Sequence, residues 1–179
     1  MATFKRTMQY SVYTNLLRMF EYRGYTVPSQ MKIPREHYKP LKTFVLPTES
    51  LTVVYHTQNK VTKDAYDSYL KSLEGHRLII VYATSLTSAV KKLANMSRNI
   101  ECIEYNKLLY CIMDHKWVPK YELLDPSDHP KEDLSKYPKQ LDSDPITKYF
   151  NAIPGDIFKI HRDSPRTGTE ITYRVVIES

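Results

Sequence analysis

Glycine, cysteine and long apolar runs are all scarce in this chain of 179 residues. Its four glycines, Gly24, Gly75, Gly155 and Gly168, are never clustered, so the sequence contains neither a phosphate-binding loop nor a Gly-rich dinucleotide turn. No apolar run approaches the ~20 residues that a membrane-spanning helix needs. The N-terminus also lacks the apolar segment of a secretory signal. We therefore expect an intracellular protein without a membrane segment, and we predict no cofactor.

Cys102 and Cys111 are the only cysteines of the chain. So low a number, without a secretory signal, favours reduced thiols over a disulfide framework. A metal site would have to combine the two thiols with His115, but this spacing matches no zinc pattern and a fourth ligand is not evident. The sequence predicts small buried side chains at both cysteines and no metal centre.

The net charge of +6 is distributed unevenly along the chain. Residues 1–105 contain 15 Lys and Arg against 8 Asp and Glu, whereas residues 106–179 contain 11 against 12. The first part therefore carries +7 and the second −1. A basic excess confined to one part is typical of a surface that faces a polyanion, although solvated lysines are the ordinary use of such charge.

The first part of the chain opens with a helical pattern and continues as alternating strands and helices. Apolar residues from Phe4 to Phe20 follow one helical face, and Gly24 supplies the left-handed residue that ends such a helix. Prolines between residues 28 and 47 indicate an irregular connection. Strands are then predicted over residues 51–57, 77–83 and 100–105, and helices over residues 62–73 and 85–96, the latter with Ser85 as N-cap. Residues 1–105 should form an α/β domain, a sheet flanked by helices.

The second part, residues 106–179, is richer in proline and has fewer periodic segments, since seven of the eleven prolines lie in it. A short helix is predicted over residues 107–114, and a second begins at Asp144, whose side chain can cap it, with Pro145 at the first helical position. Two terminal strands, residues 157–160 and 171–177, are predicted to pair through a connection in which Gly168 takes positive φ. We expect a small mixed β-sheet domain with short helices, and an α+β two-domain fold for the whole chain.

No catalytic constellation is complete in the sequence. His161, Asp163 and Ser164 lie near one another, but a triad needs a nucleophile on a strained turn, and the Gly-x-Ser-x-Gly pattern is absent. We interpret these residues as a solvated polar turn. Asp114 and His115 resemble an acid and base couple, yet their position at the end of an apolar stretch favours a hydrogen-bonded structural histidine. We therefore predict no catalytic and no metal-binding residues.

The residues alone leave two alternatives open, a metal-dependent nuclease and a stand-alone DNA-binding protein. Glu101, Glu104 and Lys107 would supply a nuclease with carboxylates and a lysine. The spacing of the two glutamates, however, places them on opposite faces of a regular strand. The 15 tyrosines would suit base stacking, but their scatter through predicted helices and strands favours packing.

The second part also carries residues in an order that resembles a known family. The matching positions are His115, Val118-Pro119-Lys120, Pro138, Asp144-Pro145, Tyr149-Phe150, Gly155-Asp156, Lys159-Ile160, Arg162, Ser164, Gly168 and Tyr173-Arg174. In this order they resemble the C-terminal domain of an RNA polymerase family, that of the fifth-largest subunit shared by the eukaryotic nuclear RNA polymerases. The resemblance covers residues 113–124 and 137–176.

The first part resembles the same family more loosely, through residues 16–27 and 77–93. The two parts together resemble the eukaryotic two-domain form, since archaeal relatives have only the C-terminal domain. The first part is short for the family, which indicates a trimmed version such as those that large DNA viruses encode. We expect the nucleus for a cellular protein, and a viral factory or virion for a viral one.

Three positions depart from the family pattern. Gln140 stands where the family has a hydrophobic residue, and Asn151 stands where it has a glycine. The family's Thr-Pro-Ser-Ala turn appears here as residues 86–89, Leu-Thr-Ser-Ala. The last departure lies at the start of the predicted helix over residues 85–96, which the family is expected to place near DNA, and it could change the shape of the domain there.

The resemblance implies a non-catalytic subunit of a multisubunit DNA-dependent RNA polymerase. Its C-terminal domain would pack on the largest subunit, beside other polymerase subunits, and its N-terminal domain would form part of the jaw around downstream duplex DNA. Contact with the duplex would be sequence-neutral and salt-sensitive. The residues expected near DNA are Ser85, Thr87, Ser88, Lys91 and Lys92. The residues expected to dock on the partner subunit are Trp117, Pro119, Tyr149, Lys159, Arg162, Arg166 and Arg174.

Overall fold

The helical and strand periodicities of the chain build two units in the computed structural model. It describes residues 2–56, 60–71, 77–97, 99–130, 134–164 and 168–179. The first unit comprises Met1–Phe20 and Tyr25–Tyr110, and the second comprises Glu21–Gly24 and Cys111–Ser179. Helices and a sheet occur in each, which confirms the predicted fold class. In the part of the chain so described, no helix is long and apolar enough to cross a membrane.

The first unit is built on a four-stranded sheet in the order β1-β2-β3-β4. Strand β1 pairs antiparallel with β2, whereas β2, β3 and β4 run parallel because a helix connects each to the next. The elements are α1 (Ala2–Tyr22), β1 (Thr43–Leu46), β2 (Leu51–His56), α2 (Lys63–Lys71), β3 (Arg77–Tyr82), α3 (Ser88–Met96) and β4 (Ile100–Glu104). The predicted alternation of strands and helices from residue 51 onward is confirmed.

Strand β1 was not predicted, since the proline-rich segment around it was interpreted as an irregular connection. Phe44 and Leu46 are buried and Val45 between them is exposed, which is the alternation of an edge strand. Four residues are too few for this alternation to stand out in the sequence. Pairing with β2, which begins five residues after Leu46, decides the conformation.

The helix α3 begins three residues later than predicted, so the assignment of Ser85 as its N-cap is wrong. The N-cap is Thr87, and the helix starts at Ser88. The Val61 N–H donates to the Ser85 carbonyl at 3.0 Å, and the Thr87 N–H donates to the Val61 carbonyl at 3.3 Å. This bridge between Val61 and Leu86, both buried, keeps residues 85–87 extended and delays the helix.

Helices cover both faces of this sheet. On one face, Val54, Leu78 and Ile80 pack against Tyr66 of α2 and Val90 of α3. On the other, rings form a chain from α1 into the sheet, with centroid distances of 5.4 Å from Tyr13 to Phe44 and 6.1 Å from Phe44 to Tyr55. The Tyr13 hydroxyl donates to the Met31 carbonyl at 2.7 Å. These tyrosines therefore serve as packing residues, as their scatter in the sequence indicated.

Gly24 ends α1 as predicted. With φ of +78°, it donates its N–H to the Glu21 carbonyl at 3.0 Å, and the Tyr25 N–H donates to the Phe20 carbonyl at 2.9 Å. The Phe20 and Tyr25 rings lie 5.9 Å apart. Both hydrogen bonds and the apolar contact are those of a Schellman motif, in which a left-handed residue satisfies the last carbonyls of a helix.

The second unit is built around its terminal hairpin, in a four-stranded sheet of order β5-β7-β8-β6. Strands β7 and β8 are antiparallel, β5 pairs antiparallel with β7, and β6 runs parallel to β8. The elements are β5 (Lys120–Leu123), β6 (Lys139–Leu141), α4 (Pro145–Phe150), β7 (Ile157–Ser164) and β8 (Gly168–Ile177). The predicted helix over residues 107–114 is replaced by two 3₁₀ turns, Tyr105–Leu108 and Ile112–Asp114.

The hairpin is longer than predicted. Residues 161–164 and 168–170, which were assigned to a polar connection, continue the two strands, with Arg162 opposite Glu170 and Asp163 opposite Thr169. Polar side chains are compatible with strand here because this end of the ladder is not buried on both faces. Gly168 has the predicted positive φ, at +75°, and now begins a strand.

The capping of α4 is confirmed, and one departure from the family pattern is explained. Asp144 Oδ1 accepts a hydrogen bond from the Ile146 N–H at 2.7 Å, and Pro145 occupies the first helical position. At the other end Asn151 adopts φ of +54°. Asparagine tolerates this left-handed region better than other side chains, so it can replace the family's glycine at this C-cap.

The second departure, Gln140, places an amide in a buried position. The residue is 4% exposed, and its Nε2 donates to Thr147 Oγ1 at 3.0 Å and approaches Asp144 Oδ1 at 3.4 Å. Its Oε1 is buried and has no hydrogen-bond partner among the described residues. The amide therefore ties β6 to the start of α4 at the cost of one unsatisfied acceptor.

We expect strong coupling between Gln140 and Thr147 in a double-mutant cycle. Gln140→Leu or Thr147→Val alone should each lower the free energy of unfolding by ~1–3 kcal/mol, because the remaining partner is buried without its hydrogen bond. The double variant, which replaces both partners by apolar groups, should lie close to the wild type. Urea unfolding measures all four proteins, with Thr43→Val at an exposed position of β1 as the control. Additive losses would contradict the coupling.

Candidate functional site

The sheet of the second unit has two chemically different faces. Strand alternation places Tyr121, Phe158, Ile160 and Val176 on one face, where they form the hydrophobic core with Phe150 of α4. We call this the packed face. On the opposite face, near the end of the hairpin, the strand register brings charged and apolar side chains together. We call this group the outer-face patch, and it consists of Lys120, Glu122, Lys159, His161 and Ile171.

Basic side chains converge on one carboxylate in the outer-face patch. Lys120 Nζ lies 2.8 Å from Glu122 Oε1, while Lys159 Nζ lies 4.0 Å and His161 Nε2 3.2 Å from Glu122 Oε2. The His161 contact is at ion-pair distance without a well-aligned hydrogen bond. Lys120, and secondly His161, hold the pKa of the Glu122 carboxyl below its usual range. The carboxylate is therefore ionised, with the two lysines on either side of it.

The predicted docking residues do not form one cluster. Lys159 belongs to the outer-face patch, whereas Arg162 and Arg174 belong to the packed face. Arg162 pairs with Glu170 across the β7–β8 ladder, and Arg174 pairs with Phe158. Burial raises the pKa of the Tyr121 phenol, and the positive charges of Arg174 and Arg162 offset part of this shift. Arg166 lies outside the described residues.

The aromatic docking candidates differ in exposure. Trp117 is 78% exposed in a turn, with Lys116 Nζ 5.1 Å from its ring centroid, and Pro119 is half-buried. Tyr149 is engaged within the second unit. Its hydroxyl lies 3.4 Å from Cys111 Sγ, and its backbone carbonyl accepts a hydrogen bond from Arg23 Nε at 2.8 Å. Of the two aromatic residues, only Trp117 presents most of its ring to solvent.

The residues expected near DNA lie around the N-terminus of α3. Ser88, Lys91 and Lys92 are exposed, while Ser85 and Thr87 are half-buried. The Thr87 side chain makes no capping hydrogen bond, and its Oγ1 is buried without a partner in the described part of the chain. The exposed lysines are the groups here that can meet a phosphate backbone.

The fragments of catalytic chemistry are used structurally where the structure describes them. His161 and Asp163 lie on β7 instead of in the expected turn, and Asp163 Oδ1 accepts a hydrogen bond from Thr169 Oγ1 at 3.1 Å. The side chain of Ser164 lies outside the described part. His115 Nδ1 accepts a hydrogen bond from the Trp117 N–H at 3.3 Å, which agrees with its interpretation as a structural histidine.

Glu101 and Glu104 do not share a face of the sheet. On β4 they pair with Ile79 and Tyr82, and their separation of three residues directs them to opposite sides. Within the described ranges, no group of three or more His, Cys, Asp and Glu side chains could hold a metal ion. Cys102 and Cys111 are both free thiols, as predicted, and burial raises the pKa of Cys102 to about 11.

The charged part of the outer-face patch was missed by reasoning from the sequence. Lys159 was singled out, but Lys120, Glu122 and His161 come from two strands whose pairing the sequence does not specify. The only sequence signal is the period of two that places Lys120 and Glu122, and likewise Lys159 and His161, on one side of their strands.

Replacing Lys120 should raise the pKa of Glu122. Lys120 is the largest cause of the lowered value, so Lys120→Gln removes it, whereas Lys148→Gln on α4 leaves it unchanged. A lowered carboxyl pKa stabilises the folded state above the ordinary glutamate value, and this stabilisation is lost as pH falls through the folded pKa. Carboxyl NMR titration of Glu122 in the three proteins measures the effect. Equal titration midpoints in Lys120→Gln and the wild type would contradict the assigned ion pair.

Comparisons with known proteins agree on one family. The family model described as RNA polymerase Rpb5, C-terminal domain, matches residues 110–176. The chain is 46% identical over 72 residues to the DNA-directed RNA polymerase subunit Rpo5 of Sulfolobus acidocaldarius, a match that covers 37% of this chain and 86% of the relative.

Longer relatives match both units. The Dictyostelium discoideum DNA-directed RNA polymerases I, II, and III subunit rpabc1 is 28% identical over 185 residues, which covers 90% of this chain and 93% of the relative. The Arabidopsis thaliana DNA-directed RNA polymerase subunit 5-like protein 1 is 26% identical over 205 residues and covers 96% of each. Taken with the sequence pattern of β7 and β8, these matches show that the chain belongs to the Rpb5/Rpo5 family of RNA polymerase subunits.

Proposed function

We propose that this protein is a non-catalytic subunit of a multisubunit DNA-dependent RNA polymerase. The observation that carries the proposal is the match of the second unit to Rpo5 of Sulfolobus acidocaldarius, at 46% identity over 86% of that protein. The matches of whole-chain length extend it to the first unit. In this proposal the second unit docks on the largest polymerase subunit and contacts other subunits, and the first unit forms part of the jaw near downstream DNA.

The division of charge supports separate roles for the two parts. The basic part, residues 1–105, is the one proposed to lie near DNA, and its Lys91 and Lys92 carry positive charge at the surface. The near-neutral part, residues 106–179, is the one proposed to be docked. Its exposed Trp117 suits an interface, because tryptophan contributes strongly to binding when it is buried in a partner's pocket.

Affinity purification of the tagged full-length chain from its source tests the subunit role. The largest polymerase subunit and further polymerase subunits should co-purify in fixed stoichiometry, and the isolated chain should show no turnover. A chain that purifies alone and cleaves DNA with magnesium, losing activity in Glu101→Gln, would favour the nuclease instead. A chain that alone binds one DNA sequence tightly would favour a stand-alone DNA-binding protein.

Substitution of Lys91 and Lys92 tests the proposed contact with DNA. Binding of the full chain to duplex DNA should be weak, independent of sequence and lost as salt rises. Lys91→Gln/Lys92→Gln should lower the slope of log K against log salt by about 1 for each phosphate contact removed. Lys136→Gln/Lys148→Gln, which removes the same charge from exposed positions of the second unit, is the control. Equal slopes in both double variants would argue against a DNA contact at α3.

A further inference from the structure

Four residues from the beginning of the chain belong to the second unit. This unit comprises Cys111–Ser179 and, in addition, Glu21–Gly24, which we call the 21–24 segment. The family model of the C-terminal domain matches only residues 110–176. The 21–24 segment therefore lies outside the domain as the family model defines it, although it is part of the second unit in this structure.

Arg23 fastens this segment to the end of α4. Its Nε donates to the Tyr149 carbonyl at 2.8 Å, and its Nη2 donates to the Lys148 carbonyl at 3.2 Å. The last carbonyls of a helix lack the partner that the next turn would supply, and a basic side chain near the C-terminus can satisfy them. The Lys148 carbonyl also accepts the Asn151 N–H at 3.1 Å. One guanidinium group therefore holds two neighbouring carbonyls at the point where α4 ends.

Tyr22 extends the aromatic packing of the second unit. Its ring centroid lies 5.9 Å from that of Tyr149 and 6.2 Å from that of Phe150, both in edge-on orientations. Phe150 is buried, and its ring lies 5.4 Å from Phe158 in the hydrophobic cluster of the packed face. Edge-to-face pairs at such distances are attractive beyond the burial of their surface. The 21–24 segment thus adds one ring and one guanidinium group to the second unit.

We propose that the 21–24 segment is a strap that completes the second unit. The end of α4, with its last carbonyls and the rings of Tyr149 and Phe150, is an intramolecular docking site, and its occupant is this segment of the same chain. Arg23 closes the C-terminal end of α4, and Tyr22 covers Phe150. The local stability of α4 therefore depends on residues that precede the whole sheet of the first unit. This inference goes beyond the proposed function and does not rest on it.

The strap is distinct from the ending of α1, which the backbone achieves by itself. The N–H groups of Gly24 and Tyr25 donate to the carbonyls of Glu21 and Phe20, so the helix end uses no side-chain hydrogen bond. Tyr22 and Arg23 can therefore be substituted without removing either of these bonds. The effect of such substitutions on α4 reports on the strap.

Amide hydrogen exchange in the full-length chain tests the strap. Arg23→Gln should speed the exchange of the amides of residues 151–152, which follow α4 and bond to its last turn, at least about tenfold, because charge-assisted hydrogen bonds at this end are lost. Tyr22→Ala should speed it at least about threefold, because the ring contacts are lost. The controls Lys39→Gln and Tyr110→Ala remove a positive charge and a tyrosine ring at exposed positions of the first unit, and should leave these rates unchanged.

Arg23→Lys separates charge from geometry. Lysine keeps the positive charge but lacks the planar fork that reaches two carbonyls, so exchange at residues 151–152 should lie between the rates of the wild type and Arg23→Gln. If circular dichroism shows that Arg23→Gln is not folded, Arg23→Lys replaces it, and at least about threefold faster exchange is then expected. Unchanged exchange at residues 151–152 in the Arg23 and Tyr22 variants would overturn the strap. Faster exchange confined to the amides of residues 24–25 would also overturn it, and would assign both side chains to the end of α1.

Discussion

The pairing of β7 with β8 is the interaction on which the second unit depends. Its ladder runs from Ile157 opposite Val175 to Ser164 opposite Gly168, and it forms the middle of the sheet. Strand β5 attaches to β7 and strand β6 to β8, so neither edge strand has a place without the hairpin. The same ladder sets which side chains share a face. The hydrophobic cluster around Phe158 and Ile160 therefore lies on one side, and the charged patch lies on the other, beside the buried pair Ile157 and Val175.

The two residues of this unit that depart from the family pattern, Gln140 and Asn151, are accommodated by their immediate neighbours. Asn151 supplies the left-handed conformation that the family obtains with glycine, and Gln140 exchanges an apolar contact for a hydrogen bond to Thr147. Neither substitution disturbs the strand pairing or the Asp144 cap on which the unit is built. The second unit thus accommodates both residues with its strand pairing and its helix cap intact.

Much of the fold was predictable because short stretches of the sequence determine it. The cap at Asp144 and the helix end at Gly24 follow from single residues, and the strands of the first unit follow from apolar runs. Strand β1 and the start of α3 were missed because pairing with distant segments decides them, as the hydrogen bonds of Val61 with residues 85 and 87 show. The polar end of the hairpin, residues 161–164 and 168–170, was not predicted as strand because charged and hydroxyl side chains are more typical of a turn.

The candidate surface was only partly predictable for the same reason. The sequence grouped Lys159 with Arg162 and Arg174 because they lie on one hairpin, but strand alternation and register divide them between two faces. Glu122 joins Lys159 only through the β5–β7 ladder, which links segments more than thirty residues apart. A local pattern can locate a strand, whereas the partners of its side chains depend on the register with another strand.

The central claim is that this chain is a polymerase subunit held by its second unit. The most direct measurement is an electron cryomicroscopy structure of the polymerase purified through the tagged full-length chain. The account predicts the second unit in contact with the largest subunit and the first unit towards downstream DNA. A polymerase that lacks the chain, or that holds it through the first unit with the sheet of the second unit free on both sides, would contradict the account.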